Sequence, residues 1–182
     1  MVELAGRPLV AWCLDAFADA SSVERAIVAA PPDRLDAIAE LAPAGLELEV
    51  VEGGGTRAQS VVNALQHAET ELVLVHDAAR PLVTPELIDA LVELLESTAD
   101  AAGVISATPV TDTVKRVVRG KRRVKRTERR DELWAAQTPQ VFRAAELRAA
   151  HESPPADGTE ATDDAMLIEQ AGGVVLVEPG PA

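Results

Sequence analysis

Short apolar runs that read as strands alternate along this chain with stretches whose apolar residues recur at helical spacing, and that alternation restricts it to one broad class of fold. From Leu9 to Ala20, the residues Leu9, Trp12, Cys13, Ala16 and Phe17 share one helical face. Arg25 to Ala30 reads as a buried strand stopped by Pro31-Pro32, and Asp33 to Leu41 as a short helix with Leu35, Ile38 and Leu41 inward. Leu46 to Val51 alternates as a strand and runs into Gly53-Gly54-Gly55; a helix from Arg57 to Ala68 follows. Leu72-Val73-Leu74-Val75 is a compact β-branched run that suits a central strand. Thr84 as N-cap and Pro85 at the first helical position open a helix to about Ser97. Gly103 to Ala107 is a further strand, followed later by a helix near Arg143 to His151 and a Pro/Gly-rich loop. A helix from about Asp163 to Ala171 and a strand from Val174 to Val177 close the pattern. Such an order predicts an α/β domain with a mostly parallel sheet and right-handed crossovers.

Composition narrows the function classes. The 182 residues are 47% hydrophobic and 26% charged, which fits one soluble domain spanning 1–182. No apolar run approaches the roughly 20 residues that cross a bilayer, and Met1 to Arg7 lacks the pattern of an export signal. Cys13 is the sole cysteine, so an internal disulfide is excluded and a reducing cytoplasm is expected. A net charge of −13, with two Trp, two Phe and no Tyr, argues against a nucleic-acid partner. The charge is nevertheless uneven. Lys115, Arg116, Arg119, Lys121, Arg122, Arg123, Lys125, Arg126, Arg129 and Arg130 gather most of the 17 basic residues into one segment. Within it, Thr113 to Val118 and Arg122 to Thr127 flank a turn at Gly120-Lys121, the pattern of a hairpin arm.

Ligands of open α/β sheets bind at the carboxyl ends of strands, which directs attention to three loops. In Gly53-Gly54-Gly55-Thr56-Arg57-Ala58-Gln59-Ser60, glycines permit close backbone approach and the following helix offers free N–H groups. Arg57 in the first turn opposes the helix dipole unless a carboxylate or anion is near. The same glycines are equally compatible with a plain tight turn. His76-Asp77-Ala78-Ala79-Arg80-Pro81 sets an acid and a base about two small residues at the end of an apolar strand. Asp77 suits hydroxyls or a metal and Arg80 suits a phosphate, while an Asp–Arg ion pair that only shapes the turn is the alternative. Pro109 to Thr113 forms the third loop, leading into the arm. His67 and His151 read as solvated helix positions, Cys13 as core, and Asp163 and Asp164 as helix-start residues after a Thr162 cap.

His-Asp-Ala-Ala-Arg-Pro after an apolar strand resembles the signature of the 2-C-methyl-D-erythritol 4-phosphate cytidylyltransferase family. Four further stretches resemble that family in its own order. They are Gly53-Gly54-x-x-Arg57-x-x-Ser60-Val61, Pro109 to Lys115, Arg130 to Gln140 with its Thr138-Pro139-Gln140, and Thr162-Asp163-Asp164-Ala165. The resemblance implies a Rossmann-like nucleotidyltransferase fold whose arm, at about 111–134, swaps between the subunits of a homodimer. It implies that CTP and a sugar-alcohol phosphate are the partners, with Mg²⁺ or another divalent cation on the triphosphate. By matched position Arg130 and Asp77 are catalytic, Asp77 also being the residue nearest a metal. Arg80, Thr113, Thr138 and Lys115 bind substrate, and Gly53, Gly54, Arg57, Ser60 and Ala78 bind the nucleotide. The family pattern also places a strand, an Ala-Ala-Gly-x-Gly-x-Arg loop and a Pro-Lys ahead of Met1, and an Asn-x-Lys beyond Ala182. The domain is therefore expected to be incomplete at both ends and weakly active or inactive as it stands. A ribitol-5-phosphate cytidylyltransferase and a non-catalytic binding protein on the same fold are the rival expectations.

Overall fold

The computed structural model describes residues 1–153 and 161–181; the expected Pro/Gly-rich loop falls largely outside them. Its strands are β1 (Glu3–Leu4), β2 (Arg7–Pro8), β3 (Arg25–Ala30), β4 (Glu47–Glu52), β5 (Leu72–Val75), β6 (Ala101–Pro109), β7 (Lys115–Val117), β8 (Val124–Thr127), β9 (Trp134–Arg143) and β10 (Val174–Pro179). The helices are α1 (Leu9–Asp19), α2 (Leu35–Ala39), α3 (Arg57–Leu65), α4 (Pro85–Ser97), α5 (Ala144–Glu152) and α6 (Asp164–Gln170).

The α/β class stands, but the main sheet is mixed. Its four strands run in the order β10-β6-β9-β5, with β10 parallel to β6 and β9 antiparallel to both β6 and β5. β3 and β4 pair in parallel as a separate sheet. The antiparallel member is β9, a strand that the sequence pattern did not reveal. A proline inside an interior strand argues against such a strand, because it cannot donate to the ladder. Pro139 is accommodated because the pairing with β6 shifts between Ile105 and Ala107, which face Gln140 and Ala136. The residues between them need no ladder bond.

Two apolar layers hold the sheet. On one face α4 buries Ile88, Leu91 and Leu95 completely, and Leu91 and Leu95 pack with Val104 and Val141. Each such side chain contributes about 1.5–3 kcal/mol relative to exposure. On the other face Phe142 packs with Leu147 of α5 and Leu167 and Ile168 of α6. Gly103 lies in β6 against the Phe142 ring, where a Cβ would collide with it. Helix α1 joins the two sheets: Leu14 packs on Ala26, while Ala16 and Ala20 pack near Ile88 and Leu74. Among the described residues β3 pairs only with β4 and β5 only with β9.

The arm is present, with shorter strands than expected. β7 and β8 pair antiparallel about Gly120, which has a φ of +72° that suits glycine. Every residue of both strands is exposed, including Val117 and Val124. Two other expectations fail. Asp163, not Thr162, caps α6, its Oδ1 accepting from the Met166 N–H at 3.0 Å. The stretch expected to be a helix from Asp33 becomes a 3₁₀ turn over Pro32–Arg34 and a five-residue helix, α2.

Candidate functional site

Two of the three expected loops meet at the ends of β4 and β5. Gly53 donates its N–H to Ala30 O at 2.8 Å, which ties the glycine turn to the end of β3. Gly54 N–H donates to Ser60 Oγ at 3.0 Å, and Ser60 Oγ donates to Thr56 O at 3.0 Å. Thr56 caps α3 by accepting from Gln59 N–H at 3.1 Å. A Cβ on Gly54 would overlap Gln59 Cβ and Cγ and come within 2.9 Å of its carbonyl carbon. The turn and the first turn of α3 therefore fit only around a glycine.

The second loop is braced from below. Thr138 Oγ1 accepts the Asp77 N–H at 3.0 Å, so the irregular part of β9 props the start of the turn. Arg80 N–H donates to Asp77 O at 2.9 Å, closing it. His76 lies 3.0 Å from Arg80 O through Nε2, which as the partner of a carbonyl carries the proton. Burial holds the His76 imidazole below its ordinary pKa, and the Arg80 charge pushes it the same way. Cys13 Sγ lies 3.8 Å from Arg80 O, and burial pushes its thiol up to about 11. It is an inert core group, as its helical position predicts.

Arg57 joins the two loops. Its Nε donates to Asp77 Oδ1 at 3.0 Å and its Nη1 to Asp164 Oδ2 at 2.7 Å. The carboxylates that its place in the first turn of α3 demands are thus both present. Asp164 is 1% exposed, and its other oxygen accepts from His151 Nε2 at 2.9 Å. Burial works to raise the Asp164 carboxyl, yet the His151 and Arg57 hydrogen bonds outweigh it and hold the group below the ordinary carboxylate range. For Arg57, burial works to lower the pKa; Asp164 and then Asp77 outweigh it. Beside this junction a cleft of about 340 Å³ opens between the starts of α3 and α6, lined by Thr56, Arg57, Ala58, Thr162 and Asp163 among others.

Of the residues singled out from sequence, Gly53, Gly54, Arg57, Ser60, Asp77, Ala78, Arg80 and Thr138 fall in this linked pair of loops or directly beneath it. Thr113, Lys115 and Arg130 do not join it within one chain. Thr113 is exposed, Lys115 Nζ donates to Thr127 Oγ1 at 2.8 Å, and Arg130 Nη1 donates to Thr111 O at 2.6 Å, so these contacts stay inside the arm. One histidine departs from expectation: the His151 side chain is buried as a partner of Asp164, whereas His67 is exposed as expected, just past the end of α3, with Nδ1 2.7 Å from Glu49 Oε1. His151 and Asp164 were missed as members of the site because they approach through folding across 13 positions. The only signal was a second acid in Thr162-Asp163-Asp164 that no cap requires.

Among the described residues no group of three His, Cys, Asp or Glu could hold a metal. Asp77 still fits a cation carried mainly by phosphates. Arg57 takes its Oδ1, Oδ2 has no hydrogen-bond partner among the described residues, and one carboxylate oxygen suffices for Mg²⁺ bound chiefly to phosphate and water.

Two sheets flanked by helices, a glycine turn from one joined by Arg57 to an Asp/Arg turn from the other, and a projecting hairpin fit a Rossmann-like nucleotidyltransferase. Comparison with known proteins agrees. The family model IspD, 2-C-methyl-D-erythritol 4-phosphate cytidylyltransferase, matches residues 1–182, and the chain belongs to that family. It is 43% identical to the 2-C-methyl-D-erythritol 4-phosphate cytidylyltransferase of Prochlorococcus marinus (strain MIT 9313), across 100% of this chain and 81% of that protein. The crystal structure of 4-diphosphocytidyl-2C-methyl-D-erythritol synthase from Anaerococcus prevotii superposes with a TM-score of 0.89 at 30% identity, over 99% of this chain and 83% of that one. The 2-C-methyl-D-erythritol 4-phosphate cytidylyltransferase of Thermus thermophilus gives 0.77 at 37% identity, over 99% and 82%.

Proposed function

We propose that this chain transfers the cytidylyl group of CTP to 2-C-methyl-D-erythritol 4-phosphate, a step of non-mevalonate isoprenoid synthesis. An oxygen of the sugar phosphate forms a bond to the α-phosphorus of CTP, the bond from that phosphorus to the β-bridging oxygen breaks, and pyrophosphate leaves. The observation that carries the reading is the Arg57–Asp77 contact, which locks the glycine turn and the Asp/Arg turn into one site. In this reading Gly53, Gly54, Ser60 and Ala78 surround the nucleotide. Arg57 holds Asp77 oriented toward sugar hydroxyls. Arg80 and Thr138 shape the same turn, and Mg²⁺ beside Asp77 would neutralise charge on the phosphates.

Thr113, Lys115 and Arg130 are assigned to the sugar phosphate of a second subunit's site, reached by the exposed arm in a homodimer. This assignment accounts for Lys115 and Arg130, whose side-chain hydrogen bonds among the described residues reach neither the glycine turn nor the Asp/Arg turn of their own chain. The cytoplasm is the proposed location, since the sole cysteine is a buried free thiol that suits a reducing compartment. Among the described residues, no helix is long and apolar enough to cross a membrane. The test is pyrophosphate release by the full reading frame that carries these residues, with CTP and Mg²⁺. Methylerythritol phosphate and ribitol 5-phosphate are offered in parallel. Turnover with the former and little with the latter is expected; preference for ribitol 5-phosphate, or no turnover with either, overturns the reading.

A further inference from the structure

A carboxylate as buried as that of Asp164 is costly unless both oxygens are met. Here both are, and by groups from different helices: His151 of α5 on Oδ1 and Arg57 of α3 on Oδ2. Neither contact is needed to start α6, because Asp163 already caps it. Nor does α3 need Arg57, since a cation at a helix N-terminus opposes the dipole. The chain His151–Asp164–Arg57–Asp77 therefore runs from the interior to the half-exposed turn where substrate is expected, with each link between 2.7 and 3.0 Å. The His151 and Asp164 side chains are themselves 8% and 1% exposed, and Asp164, although it borders the cleft, has both oxygens taken by His151 and Arg57.

We propose that His151 and Asp164 are positioning residues that set the Arg57 guanidinium, and through it the Asp77 carboxylate, for the sugar substrate. His151 donates from Nε2, which fixes Asp164 in its plane. Asp164 then holds one arm of the Arg57 fork, leaving Nε as the arm that grips Asp77 Oδ1. The chemistry of this relay resembles that of outer-shell carboxylate–histidine pairs, which orient the groups that do touch a ligand. Loss of His151 would let Asp164 and Arg57 rotate and would free Asp77 from its held orientation.

The inference rests on the transfer activity proposed above, and its test includes a readout that does not. In His151→Ala, kcat/KM for the sugar phosphate is expected to fall about tenfold, the lower range for outer-shell partners, with the KM for CTP within about twofold of wild type. His151→Gln, whose amide can donate to Asp164 in place of Nε2, is expected to recover most of that loss. By ¹⁵N NMR, the Arg57 Nε–H is expected to be sharp and slowly exchanging in wild type, to broaden or exchange faster in His151→Ala, and to recover in His151→Gln. Equal losses in the Ala and Gln variants that track only their melting temperatures would overturn the proposal. So would an unchanged Arg57 signal in a folded His151→Ala protein. If wild type shows no turnover while the Arg57 signal responds as described, the functional reading fails and the relay stands.

Discussion

Arg57 sits where a helix dipole disfavours a cation, and the two carboxylates around it account for its presence. The sequence predicted a need for a carboxylate or anion beside Arg57, but it set Asp77 only against Arg80 of its own turn, and the Arg57–Asp77 contact came with the fold. Asp164 and His151 join Arg57 only after three helices pack; the second acid of Thr162-Asp163-Asp164 was the one local mark of Asp164, and His151 had none. The pair makes a stability prediction whose sign follows from the lowered Asp164 pKa. Its folded value lies below the ordinary 3.8, so the contribution is complete above about that pH and is lost as pH falls through the folded value. Asp164→Asn should cost about 2–3 kcal/mol at pH 7, less than the loss of a fully buried pair because Arg57 is one-third exposed. Urea denaturation should show that deficit holding between pH 7 and 5 and shrinking below about pH 4; a deficit that grows on acidification would contradict the assignment. At Gly54 the obstruction is steric. Gly54→Ala should raise the KM for CTP by roughly tenfold or more, since small misplacements near a reacting centre are expensive. The KM for the sugar phosphate should stay nearly unchanged, and initial-rate kinetics with each substrate varied in turn would separate the two. Arg130→Ala should show the converse pattern. It is expected to lower kcat/KM for the sugar phosphate about 10- to 150-fold, as the loss of one charge-assisted contact implies. A change under threefold would remove Arg130 from the site.

Most elements were legible because period and punctuation agreed. Thr84 and Pro85 mark the start of α4, and Pro31-Pro32 ends β3. β9 was not legible, since its Thr138-Pro139-Gln140 reads as a turn or a motif until the shifted register with β6 is seen. That same irregularity places Thr138 under Asp77, so the least predictable strand supports the site. The arm was legible from its turn and its charge, but a single chain leaves it uncovered. Val117 and Val124 are each 55% exposed and Trp134 44%. Isolated two-stranded hairpins are marginal in water, so a second subunit is expected to cover them. Sedimentation at micromolar concentration should give a dimer for the wild type and a monomer for the Val117→Asp, Val124→Asp double variant. A wild-type monomer would contradict the shared-site assignment of Arg130.

Across the whole molecule, two sheets are joined by α1, and the glycine turn and the Asp/Arg turn issue from different sheets. The α/β class followed from alternation alone. The mixed order of the main sheet did not, because strand direction depends on which strands pair across long sequence separations. The same limit applies to function. Five motifs in order indicated the family, whereas the contacts joining three of them through Arg57 came only with the fold. The central claim is that this joined site transfers a cytidylyl group to a methylerythritol phosphate. Its most direct test is pyrophosphate release by the full-length protein from CTP and 2-C-methyl-D-erythritol 4-phosphate, with Asp77→Asn and Arg57→Ala measured beside it. Turnover in wild type, with both variants reduced at least tenfold while still folded, is the predicted result. Absence of turnover in a folded wild-type protein, or full turnover in both variants, would contradict it.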